Sequence, residues 1–444
     1  MLSKRKTPPP SPRGPAALVR IADDVEAAVA QALELSQGLE YLPIDGTVFL
    51  KPNLVGLPSK FTVPPFGVVT TTAVVEAVVR ILKARGIKRL LLGDGGLENE
   101  EAGTSTKTTM DILGYPELAS KYGLELVDLN EGPFEEVDLD GLKLKLSQPL
   151  LEADFVISLP VLKTHGQCKV SLSLKNMKGG LHHRSKAACH DSGLNLDRNV
   201  ALLSKALYPD LCLIDGRYAL ARGPMHFGTA QRADLLIAAR DALDADMLGT
   251  QVIGLPLEEI GHLKYMARML GRELKAPQPV GGIDPEEVRL NLPWDFPWAD
   301  EGTPAPFVKA GVKGVFMPKY DASLCTGCSF IYNPALVMLL TAGAGKDLGG
   351  IEFLTGKATK PSGQAKVSVL AGKCITKALK DDPRLGRVIK IPNCPPKLQQ
   401  IEDALREAGV AAELNAFHGF MASIKKRYPA DQGFDPADYR PGAI

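Results

Sequence analysis

The chain has 444 residues, of which 45% are apolar and 23% charged, and its formal net charge is +1. That balance suits a globular protein of two or three domains at roughly 100–200 residues each. A near-zero charge gives no global attraction to nucleic acid or to an anionic membrane, so any electrostatic preference must be local.

In chain order, residues 1–16 hold five prolines and four basic residues and read as a flexible arm, without the apolar stretch of a secretory signal. The longest purely apolar runs, such as ALVMLL (335–340), fall far below the ~20 residues of a membrane span. The expectation is a soluble, cytoplasmic protein. GTVFLKPNLV (46–55) predicts a buried strand entering a loop. TTAVVEAVVRILKARGI (71–87) has apolar residues at helical spacing, threonines suited to capping, and Gly86 as a stop. KRLLLGDGG (88–96) predicts a strand breaking into a glycine turn. ADFVISLPVLKTH (153–165) and PDLCLIDGR (209–217) repeat the pattern of apolar strand and polar loop, and 233–254 predicts a strand followed by a helix.

Strands alternating with helices imply an α/β domain over 17–274, with a doubly wound, mostly parallel sheet. Ligands of such sheets bind beyond the carboxyl ends of the strands. Residues 275–312 contain both tryptophans and seven prolines and read as a linker. A second, smaller α/β domain is expected over 313–415. There KVSVLAGKC (366–374) and GRVIKIPNC (386–394) read as strands ending in cysteine, and 396–410 as an amphipathic helix with Pro396 near its start. Residues 416–444 are left as a C-terminal tail.

Seven cysteines in a chain with no export signal favour reduced thiols, some of them metal ligands. Cys325 and Cys328 form a Cys-x-x-Cys pair, and Cys374 and Cys394 are the expected partners. Four thiolates suit zinc or an iron–sulfur cluster. The nineteen residues between Cys374 and Cys394 fit poorly with the close ligand pairs of structural zinc, so the expectation is a 4Fe–4S cluster. Four protein thiolates would saturate it and favour electron transfer.

The segment 162–190 carries five lysines, one arginine and four histidines with no acidic residue. In a neutral chain that local excess should attract a small anion. Gly179 and Gly180 let the backbone approach a ligand. His165 follows a strand end and has the ordinary pKa for proton transfer near neutrality. GDGG (93–96) lacks a full dinucleotide or Walker pattern and is weak by itself, while Arg222 could grip a carboxylate. His182, His183 and His190, beside Cys189, leave a second metal site open.

Two resemblances add to this reading. IPNCPPK (391–397) resembles the Gly-Cys-Pro-Pro segment of the NiFe-hydrogenase small subunit and of the small iron–sulfur subunit of respiratory complex I, with Asn393 in place of the glycine. The resemblance implies one 4Fe–4S cluster on Cys325, Cys328, Cys374 and Cys394. VFLKPNLV, LLLGDGG, LPVLKTH, SLSLKNMKGGL, LIDGRYALARGP and ARDALDADMLG, in that order over about 45–265, are similar to the domain of unknown function 362 family. That likeness implies the fold and an association with iron–sulfur segments.

The combined expectation is an iron–sulfur oxidoreductase or electron-transfer subunit acting on a small anionic molecule. Lys51, Lys163 and His165 are its catalytic candidates. Asn53, Asp94, Gly95, Gly96, Lys175, Asn176, Lys178, Arg222 and His226 are its ligand-binding candidates. A redox partner protein and a homo-oligomer are compatible with it; nucleic acid and membrane are not expected. Two rivals stay open: a racemase- or isomerase-like enzyme with a structural cluster, and a non-enzymatic cluster carrier.

Overall fold

A computed structural model describes residues 13–191 and 195–443. Most of the proline-rich arm therefore lies outside the described residues. The chain divides into two compact units: Met1–Ala188, Leu196–Asp295 and Tyr428–Ile444 form the larger, and Cys189–Asn195 with Phe296–Arg427 form the smaller. Among the described residues no helix is long and apolar enough to cross a membrane.

In the larger unit the strands are β1 (Ala17–Arg20), β2 (Thr47–Pro52), β3 (Arg89–Asp94), β4 (Glu125–Asp128), β5 (Phe134–Leu139), β6 (Leu142–Ser147), β7 (Phe155–Leu159), β8 (Val161–His165), β9 (Lys169–Val170), β10 (Leu211–Ala221) and β11 (Thr229–Ala239). The main sheet runs β1-β11-β10-β7-β2-β3-β4, with β8 and β9 branching from β10, and β5 and β6 form a separate hairpin. From β10 through β7, β2 and β3 to β4 every pairing is parallel. The edge formed by β1 and β11 is antiparallel. The mixed α/β class with a mostly parallel large sheet is thus as expected, and the antiparallel edge is the addition.

The chain leaves β2 towards β3 on one side, while β7 flanks β2 on the other. This is a switch point of the kind at which α/β sheets place their sites. Helix Thr72–Ala84 follows from local chemistry: Thr71 caps it by accepting from the Val74 amide, and Gly86 ends it in the left-handed region, at φ 85°. Its valines and leucine are fully buried. The last residues return to this unit. Phe434 and Tyr439 pack on Phe66, with ring centroids at 5.0 and 5.6 Å, and Asp438 accepts from Tyr218 and Arg217.

The smaller unit contains a short ribbon, β12 (Trp298–Asp300) with β13 (Thr303–Pro304), and four strands, β14 (Lys313–Phe316), β15 (Asp347–Thr355), β16 (Val367–Ala371) and β17 (Arg387–Ile391). Those four pair in chain order and all in parallel. Phe353, Val369, Ile389 and Ile391 from the sheet meet Ile331, Tyr332 and Met338 of helix Thr326–Gly343, and Ile401 and Leu405 of helix Leu398–Glu407, in one core. Only the central strands, the second half of β15 and β16, are buried on both faces and read as mainly apolar runs.

Candidate functional site

At the end of β2 in the larger unit, Lys51 is wholly buried and donates to Asp94 Oδ1 at 2.6 Å, at the end of β3. Asp94 also accepts from the amides of Leu54 and Gly95, both at 2.9 Å. Asn176 closes the group from the other side. Its amide donates to the Lys51 carbonyl and to Ser158 at the end of β7, each at 3.0 Å, so it straddles the switch point. Burial pulls the Lys51 amine down in pKa, and Asp94 opposes that pull.

Asp246 holds Asn176 in place. Its two oxygens accept from Ser173 and Leu174 at 2.7 and 2.9 Å, at the start of the short helix Ser173–Asn176. Burial raises this carboxyl to about 7.

Lys163, on β8, is also buried. Its amine donates to Val68 O at 2.7 Å and to Asn53 Oδ1. Its pKa falls well below the usual lysine value, mainly through burial and then through the nearby charge of Lys175. His165 Nδ1 accepts from the amides of Gln167 and Cys168 at 3.1 and 3.4 Å. With Nδ1 accepting from two amides, a ring proton of the neutral tautomer sits on Nε2. His226 is buried, and desolvation lowers it to about 4; its Nδ1 has no hydrogen-bond partner among the described residues.

The glycines of both loops are packed, not merely permissive. A Cβ on Gly179 would stand 1.9 Å from Asp94 Oδ1, and one on Gly95 would stand 2.4 Å from Gly179 O. The two loops therefore close over the ion pair. Asn53, Lys175 and Lys178 remain half-buried and form the more accessible edge.

In the smaller unit the four candidate cysteines follow the carboxyl ends of the parallel strands. Cys325 and Cys328 come after β14, where Cys325 is the N-cap residue of helix Thr326–Gly343. Cys374 lies just past β16 and Cys394 just past β17. The loops touch one another. The Lys373 amide donates to Asn393 O at 3.1 Å. A Cβ on Gly372 would stand 3.0 Å from Cys328 Sγ, and one on Gly327 would stand 3.3 Å from Pro395. A hydrogen bond from Cys328 lowers the Cys325 thiol, assisted by the amides of Cys328 and Gly327, while Cys328 is raised by the same pairing. Burial raises Cys374, which also feels the charges of Lys357, Cys325 and Cys394. Cys394 is exposed.

Residues 48–251 match the family described as domain of unknown function DUF362. A thylakoid-associated protein of Synechocystis is 29% identical over 256 residues, covering 56% of this chain and 72% of that one. The lactate racemase apoprotein from Thermoanaerobacterium thermosaccharolyticum is similar at 14% identity and a TM-score of 0.34, over 55% of this chain and 57% of that one.

The DUF362 region holds Lys51, Asn53, Asp94, Lys163, His165, Lys175, Asn176, Lys178, Arg222 and His226, and excludes all four candidate cysteines of the smaller unit. Within it the structure joins Lys51, Asp94, Gly95 and Asn176 directly, and joins Lys163 to Asn53. Gly96 donates to Thr106. Arg222 is differently employed: its amide and Nε bond the carbonyls of Pro293 and Asp295. The His182 and His183 rings are tilted at 46° with centroids 4.1 Å apart, whereas His190 belongs to the smaller unit and bonds the Ala322 carbonyl at 2.9 Å.

Sequence reasoning passed over Lys186 and Asn130 in the DUF362 region. Lys186 donates to Gly95 O at 2.7 Å and to Asn130 Oδ1 at 2.6 Å, and burial lowers it to about 8. Lys186 stood in the basic segment with no feature to separate it from its neighbours.

Proposed function

We propose that the smaller unit carries a 4Fe–4S cluster on Cys325, Cys328, Cys374 and Cys394, and that the protein is an iron–sulfur redox enzyme or electron-transfer subunit acting on a small anionic ligand. The convergence of three cysteine-bearing loops beyond β14, β16 and β17 carries this reading. The donor set fits the group. Amides at a helix N-terminus hydrogen-bond the Cys325 sulfur, and Lys357 places positive charge beside Cys325 and Cys374. Both features favour a negatively charged cluster and tune its potential. When bound, the cluster supplies one-electron chemistry.

The larger unit supplies the ligand site. Lys175 and Lys178 attract the anion at the accessible edge, and Asn53 orients it. Lys163 beneath them is a desolvated amine, and burial favours its neutral form. His165, its ring oriented by the Gln167 and Cys168 amides on Nδ1, lies on the same strand as Lys163 and carries an N–H that can stabilise developing negative charge.

The Lys163 environment also favours a second reading, an acid–base isomerase in which the cluster only braces the fold. A lysine depressed by burial and by a neighbouring cation is suited to abstract a proton. Anaerobic reconstitution followed by reduction separates the two. A reversible change in visible absorbance and a paramagnetic reduced state are expected of the redox protein. A cluster that cannot be reduced, in a protein that still turns over, supports the isomerase.

A further inference from the structure

In the larger unit, Cys168, Asp197 and His262 each bring one ligand atom within 4.8 Å of the others. They come from distant parts of the chain. Cys168 sits in the turn between β8 and β9, Asp197 in the first turn of helix Leu196–Ala206, and His262 in the first turn of helix Gly261–Met269. His262 is completely buried and Cys168 almost so, while the Asp197 side chain is 28% exposed. His262 Nδ1 lies 3.2 Å from Asp197 Oδ1, and the Cys168 thiol is hydrogen-bonded to the same carboxylate. The remaining ring nitrogen, Nε2, is buried and has no hydrogen-bond partner among the described residues.

Asp197 also accepts the backbone amide of His262, as a helix cap does. A cap explains the carboxylate alone. It does not explain a buried thiol and a buried imidazole aimed at that same carboxylate, with one ring nitrogen left unsatisfied.

We propose that Cys168, Asp197 and His262 form a binding site for a divalent, borderline-soft cation, with zinc the best match. Thiolate, imidazole and carboxylate are donors that zinc accepts together. Charge points the same way: one thiolate and one carboxylate neutralise a doubly charged ion, so the buried site carries no net charge. Three protein ligands leave a fourth position, and the exposed side of Asp197 gives the ion its entrance. The Cys168 amide donates to His165 Nδ1, so an ion here fixes the turn that holds the His165 ring.

The test is a titration of the chelator-stripped full chain with Co²⁺ and, in competition, Zn²⁺. The parent protein should show one more tight site than Cys168→Ser or His262→Gln, whatever the other cysteines bind, together with a thiolate-to-cobalt absorption band assignable to Cys168. In each variant that site should weaken by more than the ~10–100-fold typical of losing an outer-sphere partner. Circular dichroism checks folding. Should both buried substitutions unfold the protein, Asp197→Asn, at a partly exposed position, carries the same expectation. Unchanged stoichiometry and affinity in the folded variants overturns the proposal.

Discussion

Lys51 Nζ lies 2.6 Å from Asp94 Oδ1, and the lysine side chain is wholly enclosed. Two charges taken out of water and matched in this way are costly to separate. Lys51→Met leaves Asp94 buried with only the Leu54 and Gly95 amides. It should destabilise the fold by about 3–5 kcal/mol. Pairing it with Asp94→Asn should recover part of that loss, because the stranded charge is gone. Urea unfolding of the single and double variants measures both effects, and a single-variant loss below ~1 kcal/mol would contradict the role given to the pair.

Lys186 should leave a pH signature on stability. Its pKa is 10.5 in the unfolded reference and about 8 when folded. Between those values the unfolded chain holds a proton that the folded chain has released, so stability rises with pH. The contribution is complete above 10.5 and is lost as pH falls through about 8. Lys186→Met should remove roughly 3 kcal/mol of that dependence, at ~1.4 kcal/mol per unit. Denaturation curves taken across the window report the slope, and an identical slope in the variant would refute the assignment.

Asp246 gives the opposite sign. Its carboxyl is raised from 3.8 to about 7, so its contribution is present in full below 3.8 and is lost as pH rises through 7. Asp246→Ala should also orphan the Ser173 and Leu174 amides, at about 1–3 kcal/mol each. Anion affinity should fall with it, since Asn176 and Lys175 ride on the freed segment. Calorimetric titration with a small carboxylate or inorganic phosphate reads that loss, and full affinity in a folded variant would show that the segment does not position the ligand.

Tyr439 and Phe434 pack on Phe66, and the Tyr439 hydroxyl accepts from the Gly67 amide. Tyr439→Ala should therefore cost about 3 kcal/mol, as large aromatic truncations in cores do. A thermal shift within error of the parent would mean that the C-terminal segment is not part of the fold's stability.

Much of the architecture was legible because buried parallel strands write themselves as apolar runs. TVFLKP, RLLLGD and FVISL became β2, β3 and β7, and Thr71 and Gly86 bound the helix between β2 and β3 as their chemistry predicts. The antiparallel edge was not legible. β1 is four residues long, and nothing local says that it pairs with β11, more than two hundred residues away. The sequence made Lys51, Asp94 and Asn176 candidates for one site, yet a lysine in a sequence reads as a solvated cation. Only tertiary packing reveals that Lys51 and Lys163 are desolvated and bonded inward. Cys374 illustrates a smaller gap: read as the end of a strand, it lies within helix Lys373–Ala378 one step beyond β16, because Gly372 turns the chain at φ 116°.

The cluster assignment meets its most direct test in the iron and acid-labile sulfide content of the full chain purified without oxygen. About four of each per chain, with a broad visible absorption lost in Cys325→Ser, is the predicted result. A colourless, folded protein that takes up no iron and binds one zinc through Cys325, Cys328, Cys374 and Cys394 would contradict it.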